Sequence, residues 1–214
     1  MTEITPLDAA HAAMEAAPQD DAARLRFYER LADGELFVLL AKEAEGDNIE
    51  PELFELGDAS FVLVFDREER LSQFVGREAP YAALSGRIAA NMLAGQSIGL
   101  ALNLEVAPSQ MLLPPEAVDW LSETLGHGPQ ETEAHIEEVS PPGGLPEVLV
   151  TALDTKLATA TGLARCAWLA GVAYSDGTRS HLLAFAGTVP GAEEALARAV
   201  NEALVFSGIE AGAL

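Results

Sequence analysis

Cysteine is nearly missing from this 214-residue chain, and the single one present, Cys166, cannot close an internal disulfide. Long apolar runs are missing as well. Leu36 to Ala41 and Ala167 to Tyr174 are of strand length, short of the roughly 18 apolar residues that cross a bilayer, so no membrane span is expected. Positive charge is scarce: 12 Lys and Arg stand against 34 Asp and Glu, for a formal net charge of -22. Such a potential repels phosphate backbones and anionic lipid, which argues against nucleic acid and membrane surfaces as partners. Aromatic residues make up only 6% while hydrophobic residues reach 49%, so the core is expected to be aliphatic and built from small side chains. Met1-Thr2-Glu3-Ile4-Thr5-Pro6 has no basic segment leading into an apolar one, and no secretory signal is expected. These absences point to a protein of the reducing cytoplasm.

The most legible stretch runs from Leu53 to Val75. Leu53 to Leu56 and Ser60 to Phe65 are strand-like runs separated by Gly57-Asp58-Ala59, the composition of a hairpin. Five apolar residues from Phe61 to Phe65 imply a strand covered on both faces by helices. Asp66 then stands where a helix N-cap belongs, with Glu69 three positions on to complete a capping box. Upstream, Thr5-Pro6-Leu7-Asp8 opens a helix that stops before Pro18, Asp20-Asp21 opens another that ends at Gly34, and Glu35 to Ala41 is a buried strand. Downstream come a strand at Tyr81 to Leu84, a helix at Ser85 to Leu93 and a strand at Gln96 to Asn103 with Gly99 as a weak point. A strand at Gln110 to Leu113 precedes a helix that starts at Pro114-Pro115-Glu116 and halts at Gly126.

Gly126-His127-Gly128-Pro129 is the expected boundary between a domain of residues 1–127 and a domain of residues 128–214. The second half reads as strand Thr132 to Val139, helix Glu147 to Thr161, strands Ala164 to Tyr174 and Arg179 to Gly187 joined by an Asp176-Gly177 hairpin turn, helix Gly191 to Ser207, and a last strand at Ile209 to Leu214. The fold class is therefore α/β (α+β): a mixed sheet first, then a βαββαβ succession of ferredoxin-like type.

Candidate chemistry is sparse. Gly95-Gln96-Ser97-Ile98-Gly99 is a literal G-x-S-x-G, which raises a serine hydrolase using Ser97 as the alternative reading. A nucleophile elbow needs a strand before the serine and a helix after it, whereas here the helix comes first. The plainer reading is a helix-to-strand turn with Gly95 just past the helix end. Cys166 lies in an apolar strand and is expected to be buried and inert. His11, His127, His135 and His181 have no metal-ligand spacing, and the acidic clusters at Glu43 to Asp47 and around Glu131 to Glu138 lack ligand geometry, so no metal and no cofactor is expected. Asp66 and Asn103 follow the C-terminal ends of two central strands, the edge where open α/β sheets hold ligands, and they are the candidate ligand-facing residues. A cap at Asp66 and a turn at Asn103 are the plainer readings.

These residues carry a family resemblance. The strand Glu35 to Leu40, then Phe61-Val62-Leu63-Val64-Phe65 with Asp66-Arg67-Glu68-Glu69-Arg70-Leu71, then Gly99-Leu100-Ala101-Leu102-Asn103, resemble the N-terminal domain of SseB-like proteins, named for an enhanced-serine-sensitivity phenotype. The second half, with Pro146 before its helix, Ala167-Trp168-Leu169 and the Asp-Gly hairpin, is similar to the C-terminal domain of that family. The chain departs from the pattern at Asp66, where Thr or Ser is common, and at Leu104, where Pro is common. The resemblance implies a bacterial cytoplasmic protein without catalytic residues to carry over, and its name is shared with a type III secretion translocator whose role does not follow. The expected function is non-catalytic: binding or regulation through a protein partner or a small molecule, with a homo-oligomer formed through exposed strands as a further expectation.

Overall fold

Thr5 opens the chain's first helix through a reciprocal cap, its hydroxyl accepting from the Asp8 N–H while the Asp8 carboxylate accepts from the Thr5 N–H. The computed structural model describes residues 4–46, 48–57, 59–129 and 132–208. The chain folds as two compact units, Met1–His127 and Gly128–Leu214.

In the first unit, α1 (Pro6–Ala16) and α2 (Asp21–Asp33) precede β1 (Glu35–Leu39), and the expected hairpin forms as β2 (Leu53–Leu56) and β3 (Ala59–Phe65). Then follow α3 (Glu68–Val75), β4 (Tyr81–Ser85), α4 (Gly86–Leu93), β5 (Ile98–Leu102), β6 (Met111–Leu113) and α5 (Pro115–Gly126). The sheet is mixed, in the order β4-β1-β3-β5-β6 with β2 also paired to β3. Only β3 and β5 run parallel, with Phe61 beside Gly99 and Val64 beside Leu102, and β1 runs antiparallel to β3 with Phe37 opposite Phe65. Alternation along the strands sends Phe61, Leu63 and Phe65 to one face, where Leu71 and Phe74 of α3 pack with Leu39 and Ala101. Val62, Val64, Leu100 and Leu102 are buried on the opposite face, where α5 lies against β5 and α4 against α5. The apolar run from Phe61 to Phe65 is covered on both sides because helices flank it on both sides.

Gly99 is a site of close approach. A Cβ built there would lie 2.4 Å from the Leu113 carbonyl oxygen and 2.6 Å from the Phe61 ring, so β5, β6 and Phe61 meet only because that side chain is missing.

The second unit holds β7 (Ile136–Ser140), α6 (Glu147–Thr159), β8 (Cys166–Tyr174), β9 (Arg179–Ala186) and α7 (Glu193–Phe206). Its sheet is antiparallel throughout, in the order β7-β8-β9. Leu149 and Leu153 of α6, Ala203 of α7 and Leu183 of β9 form the core, and a buried Lys156–Glu202 ion pair of 2.8 Å ties the two helices together. This corrects the ferredoxin-like expectation. That fold sets the first strand beside the third, whereas here β7 pairs with the second strand, from Ile136 opposite Tyr174 to Ser140 opposite Gly171. Alternation sets which face a side chain takes but not which strand lies beside it, and the observed pairing requires glycine at Gly171, where a Cβ would come within 2.8 Å of the Ser140 hydroxyl. The strand expected at Ile209 to Leu214 lies outside the described residues.

Candidate functional site

The C-terminal ends of the parallel pair β3 and β5 carry Asp66 and Asn103 side by side, as their positions in the sequence suggest. Asn103 is wholly buried and takes a left-handed backbone, φ 48°, which asparagine tolerates better than most residues. All of its polar groups near the strand end are used. Its N–H donates to the Val64 carbonyl at 2.9 Å, its Oδ1 accepts from the Asp66 N–H at 3.1 Å, and its Nδ2 donates to the Ser109 hydroxyl at 2.9 Å. Asn103 thus closes the gap where the two strands part.

Asp66 does not cap the following helix, which corrects the capping-box expectation. The cap position is Arg67, with no side-chain hydrogen bond, and the Asp66 carboxylate turns inward instead. Its Oδ1 accepts from Arg70 Nη1 at 2.7 Å and its Oδ2 from the Thr5 hydroxyl at 2.6 Å. Arg70 is 1% exposed and lies one turn along α3, so a guanidinium at that point competes for the carboxylate with the helix's own N–H groups. Both donors would make charge-assisted bonds to the carboxylate, and the guanidinium adds a full positive charge in a buried site, where its attraction for the carboxylate is strong.

Arg70 also grips Asp8 with both ends of its fork, Nη2 to Oδ2 at 2.5 Å and Nη1 to Oδ1 at 3.0 Å. The Ser109 hydroxyl donates to Asp8 Oδ1 at 2.5 Å and closes a ring that runs from α1 through α3 and back to Asn103. Burial by itself would raise the Asp8 carboxyl, but hydrogen bonds from Arg70, Ser109 and Thr5 and the guanidinium charge outweigh it and hold the group down to about 2 from its usual 3.8. Burial would likewise lower Arg70, and the two carboxylates reverse that, so its proton is held more firmly than usual. The Arg70 Nε is buried with no hydrogen-bond partner among the described residues.

Chemically this is a clamp. Each carboxylate oxygen on it accepts a strong donor, and the hydroxyls of Thr5 and Ser109 spend their protons on those carboxylates. Thr5 and Asp66 reach the wall of an open cleft of about 420 Å3, which Arg30, Glu35, Arg67 and Glu69 also line. Asp8, Arg70, Asn103 and Ser109 stay behind that wall. Residue patterning reaches Asp66, Asn103 and the Thr5–Asp8 cap but misses Arg70 and Ser109. The available signal for Arg70 is its place beside Leu71 on the buried stripe of α3, where an arginine needs a carboxylate partner.

The remaining candidates stand apart. Ser97 is exposed on the turn between α4 and β5 with φ 57°, after Gly95 at φ 73°, so the order is helix, serine, strand. Cys166 is half-buried and not buried, because it begins β8 at the sheet's end opposite Ala186. His11 packs edge-on to Phe27, and His181 bonds through Nε2 to the Gly143 carbonyl at 2.9 Å. His127 and His135 are exposed. Among the described residues no group of His, Cys, Asp and Glu is arranged to hold a metal ion, and no helix is long and apolar enough to cross a membrane.

No curated protein and no solved structure matches the chain. The family model described as the SseB protein N-terminal domain matches residues 7–120, more than half of the chain. That segment holds the strands that place Asp66 and Asn103, together with Asp8, Arg70 and Ser109, and on this match the chain belongs to the SseB family.

Proposed function

We propose that this chain is a non-catalytic, cytoplasmic binding protein that docks a basic protein partner on the strand face centred on Trp168. The observation that carries the reading is the exposure of that tryptophan, 67% at the third residue of β8. Trp168 lies opposite Ala184 on the same face as half-buried Ala170 and buried Val172, and Val139, which is 65% exposed, sits opposite Val172. The strip these residues form carries no charge. Trp168 and Val139 are its exposed large side chains, and tryptophan is among the residues that most often anchor protein interfaces. A net charge of -22 favours a basic partner and opposes pairing with a second copy of the same chain.

The test compares the full chain with Trp168→Ser in retrieval from native cell extract at low and at high salt. The reading expects a defined basic protein that the native chain holds at low salt, releases at high salt, and that Trp168→Ser fails to hold. Equal retention by both forms, or retention indifferent to salt, rejects it. Light scattering on the two forms addresses the rival occupant: a dimer that Trp168→Ser dissociates would assign the face to self-association. The non-catalytic part rests on the sealed clamp and on the helix-serine-strand order at Ser97. It expects no fluorophosphonate labelling, and labelling that Ser97→Ala removes would favour a serine hydrolase instead.

A further inference from the structure

The loop from Pro141 to Pro146 crosses the helix-bearing face of the second sheet and leaves a cavity of about 470 Å3 between itself and the start of β9. Gly171 permits the crossing, since a Cβ there would meet both Ser140 and the Pro141 carbonyl. His181 secures it through the 2.9 Å bond to the Gly143 carbonyl. The volume falls in the range of small-molecule sites, about 300–1,000 Å3.

The charge of its wall sets it apart from the rest of the molecule. In a chain with 34 acidic residues, the lining contains Arg179 and His181 and no carboxylate. Other cavities among the described residues carry acids: Glu193 in one, Glu133 and Asp176 in another, Asp66 with Glu35, Glu68 and Glu69 in a third. Arg179 makes no ion pair among the described residues, although most of the chain's charged side chains are acidic. Gly143 and Gly144 both line the cavity, and a Cβ built on either meets nothing within 4 Å, so no side chain covers that part of the wall. A guanidinium without an ion pair among the described residues, beside a bare glycine segment, is suited to an oxyanion, which a fork of N–H donors and backbone amides recognise together.

We propose that this cavity binds a small ligand through an oxyanion group, a carboxylate or a phosphate, with Arg179 as the charged partner and the Gly143-Gly144 segment closing around it. This does not rest on the docking of a protein at Trp168. The 15N-labelled full chain is titrated with inorganic phosphate and, separately, with acetate, each against sodium chloride at matched ionic strength. Saturable shifts of the Gly143, Gly144 and Arg179 amides are expected with one or both probes, and the stronger probe identifies the oxyanion class. Arg179→Ala is expected to weaken the binding by about tenfold or more, as loss of a charge-assisted pair does, while Arg165→Ala leaves it unchanged. Arg179→Gln, which keeps the stem and an amide, serves if the alanine form does not fold and is expected to show the same loss. Absence of saturable shifts, equal shifts with chloride, or unchanged affinity in a folded Arg179 variant overturns the proposal.

Discussion

Arg70 joins three parts of the first unit that lie far apart in sequence, and its removal gives the sharpest residue-level prediction. Arg70→Ala leaves Asp8 and Asp66 buried against each other without a cation, and a loss of about 3–5 kcal/mol is expected in denaturant unfolding. Arg70→Met should cost less only in company with neutral residues at Asp8 and Asp66. Asp8 provides the acid-side test. Its folded-state value is depressed to about 2 from 3.8, so its contribution is fully present above the usual carboxylate range and is lost as pH falls from about 4 through 2. That difference corresponds to about 2 kcal/mol, and unfolding curves at neutral pH and near pH 2 should show it in the native chain and not in Asp8→Asn. The Thr5–Asp8 cap was readable in the sequence because its bonds span three residues. The Arg70–Asp8 pair was not, because 62 residues separate its members and nothing local says which carboxylate an internal arginine will find. The same reason defeats the cap assigned to Asp66: local pattern offers a helix N-terminus, while the tertiary fold offers a guanidinium.

The elements themselves follow closely from periodicity, and their partners follow less well. The alternation and length of β3, the Pro-initiated α5 and the Asp176-Gly177 turn between β8 and β9 are each encoded within a few residues. Strand order in the second unit is not, since βαββα fits several orders and the partners of β7 lie more than thirty residues away, Ser140 opposite Gly171 and Ile136 opposite Tyr174. Gly99 illustrates how a weak point in an element becomes a requirement of packing. Gly99→Ala is expected to cost about 1–3 kcal/mol through overpacking against Phe61 and the Leu113 carbonyl. Gly126→Ala is the matched control, with open space around its Cβ at the end of α5, and should be neutral or slightly stabilising. Thermal unfolding of the two forms separates the cases.

The whole chain carries far more negative charge than its ion pairs consume, and self-repulsion is expected to weaken the folded state at low ionic strength. Raising salt from about 0.01 M to about 0.15 M shortens the screening length from roughly 30 Å to 8 Å, so the melting temperature should rise over that interval. A flat response would mean that the acids are spaced widely enough not to feel one another. Length, composition and charge made this property legible without any structure, because it depends on totals and not on partners. The hydrogen bond from Ser109 to Asp8 spans 101 positions, and it carries a consequence for how the protein is made. At ribosomal speeds of about 5–20 residues per second, the opening helix emerges and then waits on the order of ten seconds before the serine that completes its clasp has been synthesised. Arg70 follows Asp8 by 62 positions, so the newborn carboxylate meets its cation well before its serine, and until Ser109 arrives the remaining acceptor capacity of Asp8 is left to water.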